Sequence, residues 1–359
     1  MPGLPSTLPA ARTPPPAAAP SLRWGVMAPG EIANDFVGAL QHQTTQRVVA
    51  AGSRSLERAQ AFCAAHQLER AYGSYEELAS DPEVDVVYVA TVNSGHRSLA
   101  LLAIEAGKAV LVEKPFMCTA GEAREVAAAA RARGVLCMEG MWSRYLPQTD
   151  VMWQILEAGV LGDVHYLAAD HSQWLPRDGR LFKPELGGGA LLDLGVYPVA
   201  FAFSVLGRPD HVHAHGTLTD TGLDSQAVLA LQYASGAVAA VTTSMLARMP
   251  TGAAVGGTEA TLQFDEPFYQ PRGFTLSRSR LQGGGSVRWQ DETGIGVPDG
   301  LCYQAAALAR YVAEGRTESP LLGLDESIAI METLDEARHQ LGAYLPGEGR
   351  GQEVSQHAG

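Results

Sequence analysis

Three side chains of this sequence have types and spacing that suit proton transfer. Lys114 directly follows a short apolar run at 109–113, and Asp193 and Tyr197 lie in an apolar stretch that begins with three glycines. A phenol with a pKa of about 10 is a poor base at neutral pH, but a nearby ammonium group stabilises the phenolate. Asp193 and Tyr197 are four residues apart, so a helix would place both on one face, where they can reach one ligand.

A second pattern indicates a phosphate-binding turn near the start of the chain. The apolar run 23–28 leads into Ala28, Gly30 and Ala33, which occupy the three positions of a G-x-G-x-x-G/A pattern before a helical stretch. Such a turn lets a pyrophosphate approach the backbone and the free N–H groups of a helix N-terminus. The motif alone fits a plain strand–helix turn equally well, because alanine replaces the first glycine. The candidate cofactor contacts in this turn are Ala28, Gly30, Glu31 and Ile32.

The end of the second apolar run, 47–53, indicates which dinucleotide would bind. An acidic residue there would accept hydrogen bonds from a ribose 2′-hydroxyl and favour NAD, but Ser53 and Arg54 are present instead. A hydroxyl and a guanidinium suit the 2′-phosphate of NADP, so we expect a preference for NADP, with NAD as the second choice. The alternative is that Ser53 or Ser55 caps the next helix while Arg54 is solvated.

The elements that must position these residues follow from the hydrophobic pattern. Between 23 and 140, short apolar runs alternate with Ala/Leu-rich helical stretches, which predicts βαβ units and a parallel sheet covered on both faces. Right-handed crossovers make this a doubly wound Rossmann domain with its ligand crevice at the carboxyl ends of the strands. After 142, alternating strands predict an α+β domain with an open, mostly antiparallel sheet and helices on one face. The fold class is therefore α/β with a second, α+β domain.

Composition divides the chain into four segments. They are a disordered Pro/Ala-rich arm at 1–22, a dinucleotide-binding domain at 23–142, a substrate and oligomerisation domain at 143–346, and a flexible tail at 347–359. Trp142 and Arg144 lie at the predicted junction of the two domains, where crevices form. An aromatic ring and a guanidinium there suit stacking on, and hydrogen bonding to, a polyol or cyclic diol. Both are therefore candidate substrate contacts.

Charge and cysteine content exclude several classes of partner. The chain has 39 acidic and 26 basic residues, and its formal net charge of −13 repels nucleic acids and anionic membranes. We find no apolar run of the roughly 18 residues that a membrane-spanning helix needs, and the first 22 residues do not resemble a secretory signal. The four cysteines show neither a CxxC pair nor zinc-site spacing. We therefore expect buried free thiols, no metal site and a cytoplasmic location.

Several longer motifs resemble one family. The segments 91–96, 106–115 and 186–198 are similar to those of the glucose–fructose oxidoreductase/inositol dehydrogenase (Gfo/Idh/MocA) family. The pair of Glu-Lys-Pro and Gly-Gly-Gly…Asp-x-Gly-x-Tyr sequences at this separation is specific, whereas the glycine turn is not. Within the family, 138–144 is similar to the branch of dimeric dihydrodiol dehydrogenases and NADP-linked D-xylose dehydrogenases. The resemblance covers 23–346.

The resemblance implies roles for the candidate residues. Lys114 would lie beside the nicotinamide and the substrate hydroxyl, Tyr197 would act as acid and base, and Asp193 would orient the substrate. It also implies hydride transfer between nicotinamide and a hydroxyl or carbonyl of a sugar, polyol or trans-dihydrodiol, in a homodimer or homotetramer. The further cofactor contacts that it implies are Thr91, Asn93, His96, Glu113, Lys114 and Pro115.

Other interpretations stay open at the level of sequence. An inactive family member could sense a ligand or regulate through protein contacts, although Lys114, Asp193 and Tyr197 are all present and a DNA-reading basic motif is not. A sugar oxidoreductase could instead hold NADP permanently under an N-terminal arm. Taken singly, each candidate also fits an ordinary role, such as a solvated lysine, a core tyrosine or an aspartate that caps a helix. His96, for its part, could cap the helix that follows it.

Overall fold

The structure, a computed structural model, describes residues 4–348 and is built on two β-sheets. The first is a six-stranded parallel sheet, and the second is an eight-stranded, mostly antiparallel sheet. The predicted fold class, α/β with a second α+β part, is therefore confirmed.

The first sheet creates a crevice at the point where its strand order reverses. Its strands are β1 (Arg23–Met27), β2 (Arg47–Gly52), β3 (Arg70–Tyr72), β4 (Val86–Val89), β5 (Ala109–Glu113) and β6 (Cys137–Gly140). All are parallel, in the order β3-β2-β1-β4-β5-β6. The order reverses between β1 and β4, so the carboxyl ends of these strands flank the usual ligand position of such sheets. The sequence pattern does not indicate β3, because three half-buried residues are too few to form a periodic pattern.

Five helices cover the first sheet, and local chemistry sets their ends. They are α1 (Glu31–Gln43), α2 (Leu56–His66), α3 (Tyr75–Ala79), α4 (His96–Glu105) and α5 (Ala120–Arg133). The side chains of Ser55, Ser74 and Thr119 cap α2, α3 and α5 by accepting a backbone N–H of the first turn. By contrast, α1 follows Gly30, which offers no side-chain cap. The first N–H groups of α1 are therefore available to a ligand.

The second sheet is open on one face. Its strands are β7 (Val164–Ser172), β8 (His211–Leu218), β9 (Asp224–Gln232), β10 (Val238–Ser244), β11 (Ala253–Gly257), β12 (Thr261–Phe264), β13 (Gly273–Ser277) and β14 (Ser286–Gln290). Four helices accompany them, namely α6 (Pro147–Glu157), α7 (Val196–Leu206), α8 (Cys302–Ala313) and α9 (Leu324–Leu341). The strand order is β14-β13-β12-β11-β7-β10-β9-β8, and β7 and β10 are the parallel pair. Helices α7 and α9 pack on this sheet. On its open face, Val228 is 54% exposed and Tyr166 is 51% exposed.

A wide turn at Leu191–Gly195 precedes α7. It has π-helical hydrogen-bond spacing, whereas the sequence predicts one regular helix over 189–206. Such turns are rare in proteins, and those that occur often lie at functional sites. The stretch Pro184–Leu206 is long and apolar enough to cross a membrane by composition, which our sequence analysis did not find, but most of it is buried inside the protein. Burial of this kind is typical of a core helix.

A buried carboxyl group joins the first sheet to helix α9. Glu139, in β6, accepts hydrogen bonds from the backbone N–H of Phe116 at 3.1 Å and from the hydroxyl of Ser327 on α9 at 2.6 Å. Burial raises the pKa of Glu139 to about 7. The contact fixes the loop after β5 against the second half of the chain.

The N-terminal segment differs from its prediction as a disordered arm, because the described residues 4–22 pack along the protein. Arg12 forms an ion pair with Asp150 of α6 at 2.8 Å, and Arg310 of α8 donates to the carbonyl oxygen of Pro15 at 2.7 Å. Small alanine and proline side chains fit closely against α8. Composition alone missed this order, because polar contacts with residues distant in sequence hold a segment that has little apolar surface of its own.

The described chain ends at an anchored residue. Glu348 lies in the predicted tail at 347–359 and pairs with the buried Arg338 at 2.7 Å. Residues 349–359, the rest of that prediction, lie outside the described residues.

The four cysteines, Cys63, Cys118, Cys137 and Cys302, are buried and free. Burial raises the pKa of the Cys118, Cys137 and Cys302 thiols to about 12, so they remain protonated at neutral pH. The sequence-based expectation of buried free thiols is confirmed.

Candidate functional site

The turn between β1 and α1 forms one wall of a cavity of about 400 Å³, here called the first cavity. Ala28 has a φ of 62°, a left-handed conformation that glycine adopts more easily. A Cβ placed on Gly30 would meet only the carbonyl oxygen of Ala28, at 3.9 Å, so open space adjoins this backbone. Glu31 and Ile32, the first residues of α1, line the same cavity. Free backbone N–H groups beside an open space fit a phosphate group.

Segments that follow β4 and β5 form the opposite wall, together with residues of the second domain. The predicted site residues that line the first cavity are Gly30, Glu31, Ile32, Thr91, Asn93, Glu113, Lys114, Trp142, Asp193 and Tyr197. The side-chain amide of Asn93 donates to the carbonyl oxygen of Gly187 at 2.8 Å and so joins the wall to the glycine-rich segment. Ten candidates from distant parts of the sequence therefore meet in one cavity.

Lys114, Asp193 and Arg180 form a charge cluster in this cavity. The Lys114 ammonium donates to the main-chain oxygen of Asp193 at 2.9 Å and to its carboxylate at 3.2 Å, and Arg180 donates to the same carboxylate oxygen at 2.8 Å. Burial alone would raise the pKa of Asp193, but the positive charges of Lys114 and Arg180 outweigh it and hold that pKa well below its usual range. Asp193 is therefore a carboxylate at neutral pH. It holds Lys114 beside Tyr197.

Tyr197 is buried next to this cluster. The indole N–H of Trp142 donates to the phenol oxygen at 3.1 Å, and the ammonium nitrogen of Lys114 is 5.0 Å from the centre of the Tyr197 ring. Burial and the negative charge of Glu113 raise the pKa of Tyr197 well above its usual 10. Sequence reasoning expected a nearby ammonium to lower this pKa. The structure differs because Lys114 directs its hydrogen bonds to Asp193 and faces the ring of Tyr197.

Glu113 is a buried wall residue. Its carboxyl group accepts hydrogen bonds from the Tyr88 hydroxyl at 2.6 Å and from the backbone N–H of Lys114 at 3.2 Å. Burial raises the pKa of Glu113. These contacts fix the backbone that presents Lys114, whose peptide bond to Pro115 is cis.

A second cavity, of about 300 Å³, adjoins the first and shares Lys114, Arg180, Asp193 and Tyr197 with it. Its aromatic wall consists of Tyr269, stacked on Tyr197 at 4.5 Å between ring centres, and of the buried His171. Burial lowers the pKa of His171 to about 3, so its ring is neutral. The two cavities meet where the phenol of Tyr197 lies.

Sequence reasoning missed several lining residues. These are Asp35, Ala90, Val92, His171, Gln173 and Tyr269. Arg180 also lines both cavities; from its place before the glycine triplet, the sequence fits a mobile wall near the substrate and ordinary packing equally well. His171 lies in a predicted strand and carried only a weak signal. Tyr269 follows β12 in an irregular loop, and only the tertiary fold places it beside Tyr197.

His96, a predicted cofactor contact, does not line the first cavity. His96 is buried, and its ring nitrogens lie 2.9 Å from the carbonyl oxygen of Pro115 and 3.2 Å from that of Thr91. Burial lowers its pKa to about 4, so the neutral ring donates to one carbonyl at a time. His96 therefore holds the segments after β4 and β5 together, because buried carbonyl groups need donors.

Arg144, a predicted substrate contact, lines neither the first nor the second cavity. Its guanidinium is buried and donates to the carbonyl oxygens of Ala200 at 2.8 Å and Leu321 at 3.2 Å, and it pairs with Glu326. A buried guanidinium needs such partners. Arg144 consequently supports α7, the helix that carries Tyr197.

The remaining predicted cofactor contacts lie at the rim of the first cavity or behind its wall. Ala28 and Pro115 belong to the backbone of the two walls. Ser53 accepts a backbone hydrogen bond from Ser55 at 3.3 Å. Arg54 is exposed and forms neither a hydrogen bond nor an ion pair with the described residues. The backbone N–H of Ala28 donates to the carbonyl oxygen of Gly52 at 3.0 Å, so Arg54 follows a strand end that adjoins the turn between β1 and α1.

In the part of the chain that the structure describes, no group of three or more His, Cys, Asp or Glu side chains is placed to hold a metal ion.

Comparison with known families matches both halves of the chain. Residues 22–141 match the model of an oxidoreductase family with an NAD-binding Rossmann fold, and residues 150–263 match the GFO/IDH/MocA C-terminal domain. The chain is 36% identical over 336 residues to the trans-1,2-dihydrobenzene-1,2-diol dehydrogenase of Mus musculus, covering 92% of this chain and 100% of that protein.

Two solved structures extend the comparison. A 3-ketoreductase from Actinomadura kijaniata in complex with NADP and TDP-benzene has a TM-score of 0.77 and 27% identity, over 89% of this chain and 97% of that one. A levoglucosan dehydrogenase in complex with NADH and levoglucosan has a TM-score of 0.80 at 19% identity, over 90% and 98%, and shows the shared fold. One neighbour therefore holds NADP and another holds NADH.

Gly30→Ala tests whether the turn after β1 holds a dinucleotide. The new methyl group would enter the open space of the first cavity, so the affinity for NADPH should fall by about 10-fold or more, while the melting temperature stays unchanged. Fluorescence titration with NADPH and thermal unfolding measure the two quantities.

Gly38→Ala is the matched control, because it makes the same change within α1 but outside the cavity lining, where the new Cβ meets only His42 at 4.0 Å. It should leave NADPH affinity unchanged and raise helix stability by about 1 kcal/mol. Equal NADPH affinities of the wild-type protein, Gly30→Ala and Gly38→Ala would contradict the dinucleotide site.

Proposed function

This chain belongs to the Gfo/Idh/MocA oxidoreductase family, and we propose that it is a cytoplasmic, NADP-dependent dehydrogenase of a hydroxyl-bearing substrate. It would transfer a hydride between nicotinamide and a hydroxyl or carbonyl carbon of a sugar, polyol or trans-dihydrodiol. The observation that carries the proposal is the convergence of Lys114, Asp193 and Tyr197 where the two cavities meet. One cavity leads to the open phosphate turn, and the other supplies polar groups for a small molecule.

The first cavity suits the dinucleotide. The uncapped start of α1 and the free space at Gly30 would hold the pyrophosphate, and the wall at Thr91, Asn93 and Lys114 would hold the nicotinamide end. When bound, the nicotinamide accepts or returns the hydride. Arg54 would pair with the 2′-phosphate of NADP, because it is exposed beside the turn and without a carboxylate partner among the described residues.

Tyr197 would exchange the proton with the substrate. In carbonyl reduction its protonated phenol donates a proton to the new alkoxide, a role favoured by its raised pKa. In alcohol oxidation the phenolate accepts the hydroxyl proton while the carbon loses a hydride, so the protein needs a positive charge near the ring. Lys114 supplies that charge, and Asp193 keeps it in place.

The lining of the second cavity supports a hydroxyl-bearing substrate. His171, Gln173 and Arg180 supply hydrogen-bonding groups, and Tyr269 supplies an aromatic surface that suits a sugar or diol ring. The relatives are named for a dihydrodiol and for sugar-derived compounds. Dihydrodiols and sugars both carry adjacent hydroxyl groups on a ring.

Permanent retention of NADP under the N-terminal segment has little structural support. Residues 4–22 contact α6 and α8, and none of them lines the first cavity. A purely regulatory role is also disfavoured, because the acid–base residues are present together in one cavity.

We further propose a homodimer or homotetramer formed through the open face of the second sheet. Exposed Val228 and Tyr166 share that face with a layer of alanines, which suits close contact with a second copy.

Light scattering should give at least twice the 38.0 kDa chain mass. Val228→Lys should lower the mass toward one chain at an unchanged fold, and a monomeric wild-type protein would refute the assembly.

Arg54→Asp tests the cofactor preference. The wild-type protein should use NADP with a higher kcat/KM than NAD, and the substitution should reverse the order, because it removes the phosphate partner and supplies an acceptor for the ribose hydroxyl. Arg47→Asp is the control, since Arg47 starts the same strand at its other end and pairs with Glu69. A wild-type preference for NAD would exclude the NADP assignment.

Tyr197→Phe tests the proton-transfer step. Turnover should fall roughly 10²- to 10⁴-fold while NADP affinity and melting temperature change little, because only proton exchange is lost. Lys114→Met should lower turnover by a similar factor. The double variant should lose far less turnover than the product of the two single losses.

The pH profile provides the second readout. The pKa of Tyr197 lies above 10, so its phenolate fraction rises tenfold per pH unit below that value. Wild-type oxidation should therefore rise with pH from 7 to about 10 without a plateau, and Tyr197→Phe should lose this rise. Full activity of folded Tyr197→Phe would end the assignment.

A further inference from the structure

A third and larger cavity, here called the outer cavity, opens beside the second one. Its volume is about 950 Å³, and it shares two wall residues, Gln173 and Tyr269, with the second cavity. Because Tyr269 stacks on Tyr197 at 4.5 Å, the outer cavity begins one aromatic ring away from the acid–base residue. A molecule bound at Tyr197 can therefore extend into the outer cavity along the same wall.

The outer cavity contains two arginines without acidic partners. Arg248 and Arg272 both line it, and neither forms an ion pair with any residue in 4–348. Glu266 is the one carboxylate in the lining described. The chain has a net charge of −13. The excess of unpaired guanidinium groups over carboxylates therefore makes this cavity, beside the reaction centre, locally positive. It attracts anions that the rest of the surface repels.

Arg272 is held firmly in this position. Its backbone N–H donates to the side-chain oxygen of Gln148 at 2.9 Å, and the amide nitrogen of the same buried glutamine donates to the carbonyl oxygen of Phe268 at 2.7 Å. Its guanidinium contacts only the amide oxygen of Gln270, at 3.5 Å. A fixed backbone and a weakly engaged guanidinium leave Arg272 free to bind a carboxylate or phosphate.

The shared wall is suited to a polar substrate. The amide nitrogen of Gln173 lies 2.9 Å from Nε2 of His171, whose ring is neutral, so the amide donates to this nitrogen. The carbonyl oxygen of Gln173 is then available as an acceptor for a hydroxyl group. At the mouth of the outer cavity, Trp174 is 68% exposed and offers an aromatic face to a sugar ring.

We propose that the outer cavity is an anion-binding subsite of the substrate, in which Arg248 and Arg272 hold a carboxylate or phosphate group. The proposal rests on the dehydrogenase function above and narrows its substrate to an acidic sugar derivative. The reacting hydroxyl then lies beside Tyr197, the ring contacts Tyr269, and the anionic group lies between the two guanidiniums. Neutral sugars and dihydrodiols reach the same acid–base residues without this anchor.

Matched substrates test the proposal in the intact enzyme. D-glucose, D-glucuronate, glucose 6-phosphate and trans-benzene dihydrodiol are compared through NADPH formation, which separates a carboxylate from a phosphate and both from neutral compounds. At least one acidic compound should have a kcat/KM about 10-fold or more above that of glucose, and added salt should reduce this advantage. Equal or higher values for the neutral compounds would overturn the subsite while leaving the dehydrogenase function intact. Failure of every compound with both NADP and NAD would instead count against the proposed function, and the subsite would fall with it.

Arginine variants then assign the effect to residues. Arg248→Gln and Arg272→Gln should each lower kcat/KM for the acidic substrate by about 10-fold, mainly through KM, and change that for glucose by less than about twofold. Glu266→Gln should raise kcat/KM for the acidic substrate, because it removes a competing negative charge. Arg133→Gln, an exposed arginine at the end of α5, is the control for loss of one positive charge. Equal losses for neutral and acidic substrates would mean that the arginines serve stability, which contradicts the subsite.

Discussion

The contact between Lys114 and Asp193 is the interaction on which the site depends. Lys114 follows β5 in the first domain, Asp193 lies in the wide turn of the second, and both side chains are largely buried. Removing either charge would leave the other unpaired in a poorly solvated place, which is costly. The pair therefore fixes the relative position of the two sheets at the point where a substrate would bind. The wide turn matters because it presents both the carboxylate and the main-chain oxygen of Asp193 to one ammonium group.

Several neighbouring contacts support this pair from behind. Glu113 holds the backbone N–H of Lys114, His96 joins the segments after β4 and β5, and Arg144 supports α7 through Ala200. Each of these side chains is buried and forms hydrogen bonds with other protein groups. They reduce the freedom of Lys114, Asp193 and Tyr197, so that little reorganisation is needed when a ligand arrives.

The sequence predicted the layout better than the orientation of individual side chains. Apolar runs and helical spacing were sufficient for the parallel sheet, and two motifs brought Lys114, Asp193 and Tyr197 to one place. His96 and Arg144 lie in the expected segments, but buried carbonyl groups compete for their donors and turn them away from the cavities. Tyr269 could not be predicted, because its loop has no periodic pattern and only long-range packing brings it to Tyr197. Order in 4–22 likewise depends on contacts with residues more than a hundred positions away.

The hydrogen bond from Trp142 to Tyr197 makes the phenol of Tyr197 visible to spectroscopy. Indole emission responds to the hydrogen bonding and polarity around its ring, and here the partner is the group that would exchange the proton. Ionisation of the phenol, its rotation, or a substrate that takes over its oxygen each changes the surroundings of one tryptophan among the five in the chain. The protein thus contains its own optical probe of the Tyr197 phenol, placed by the fold and without a label.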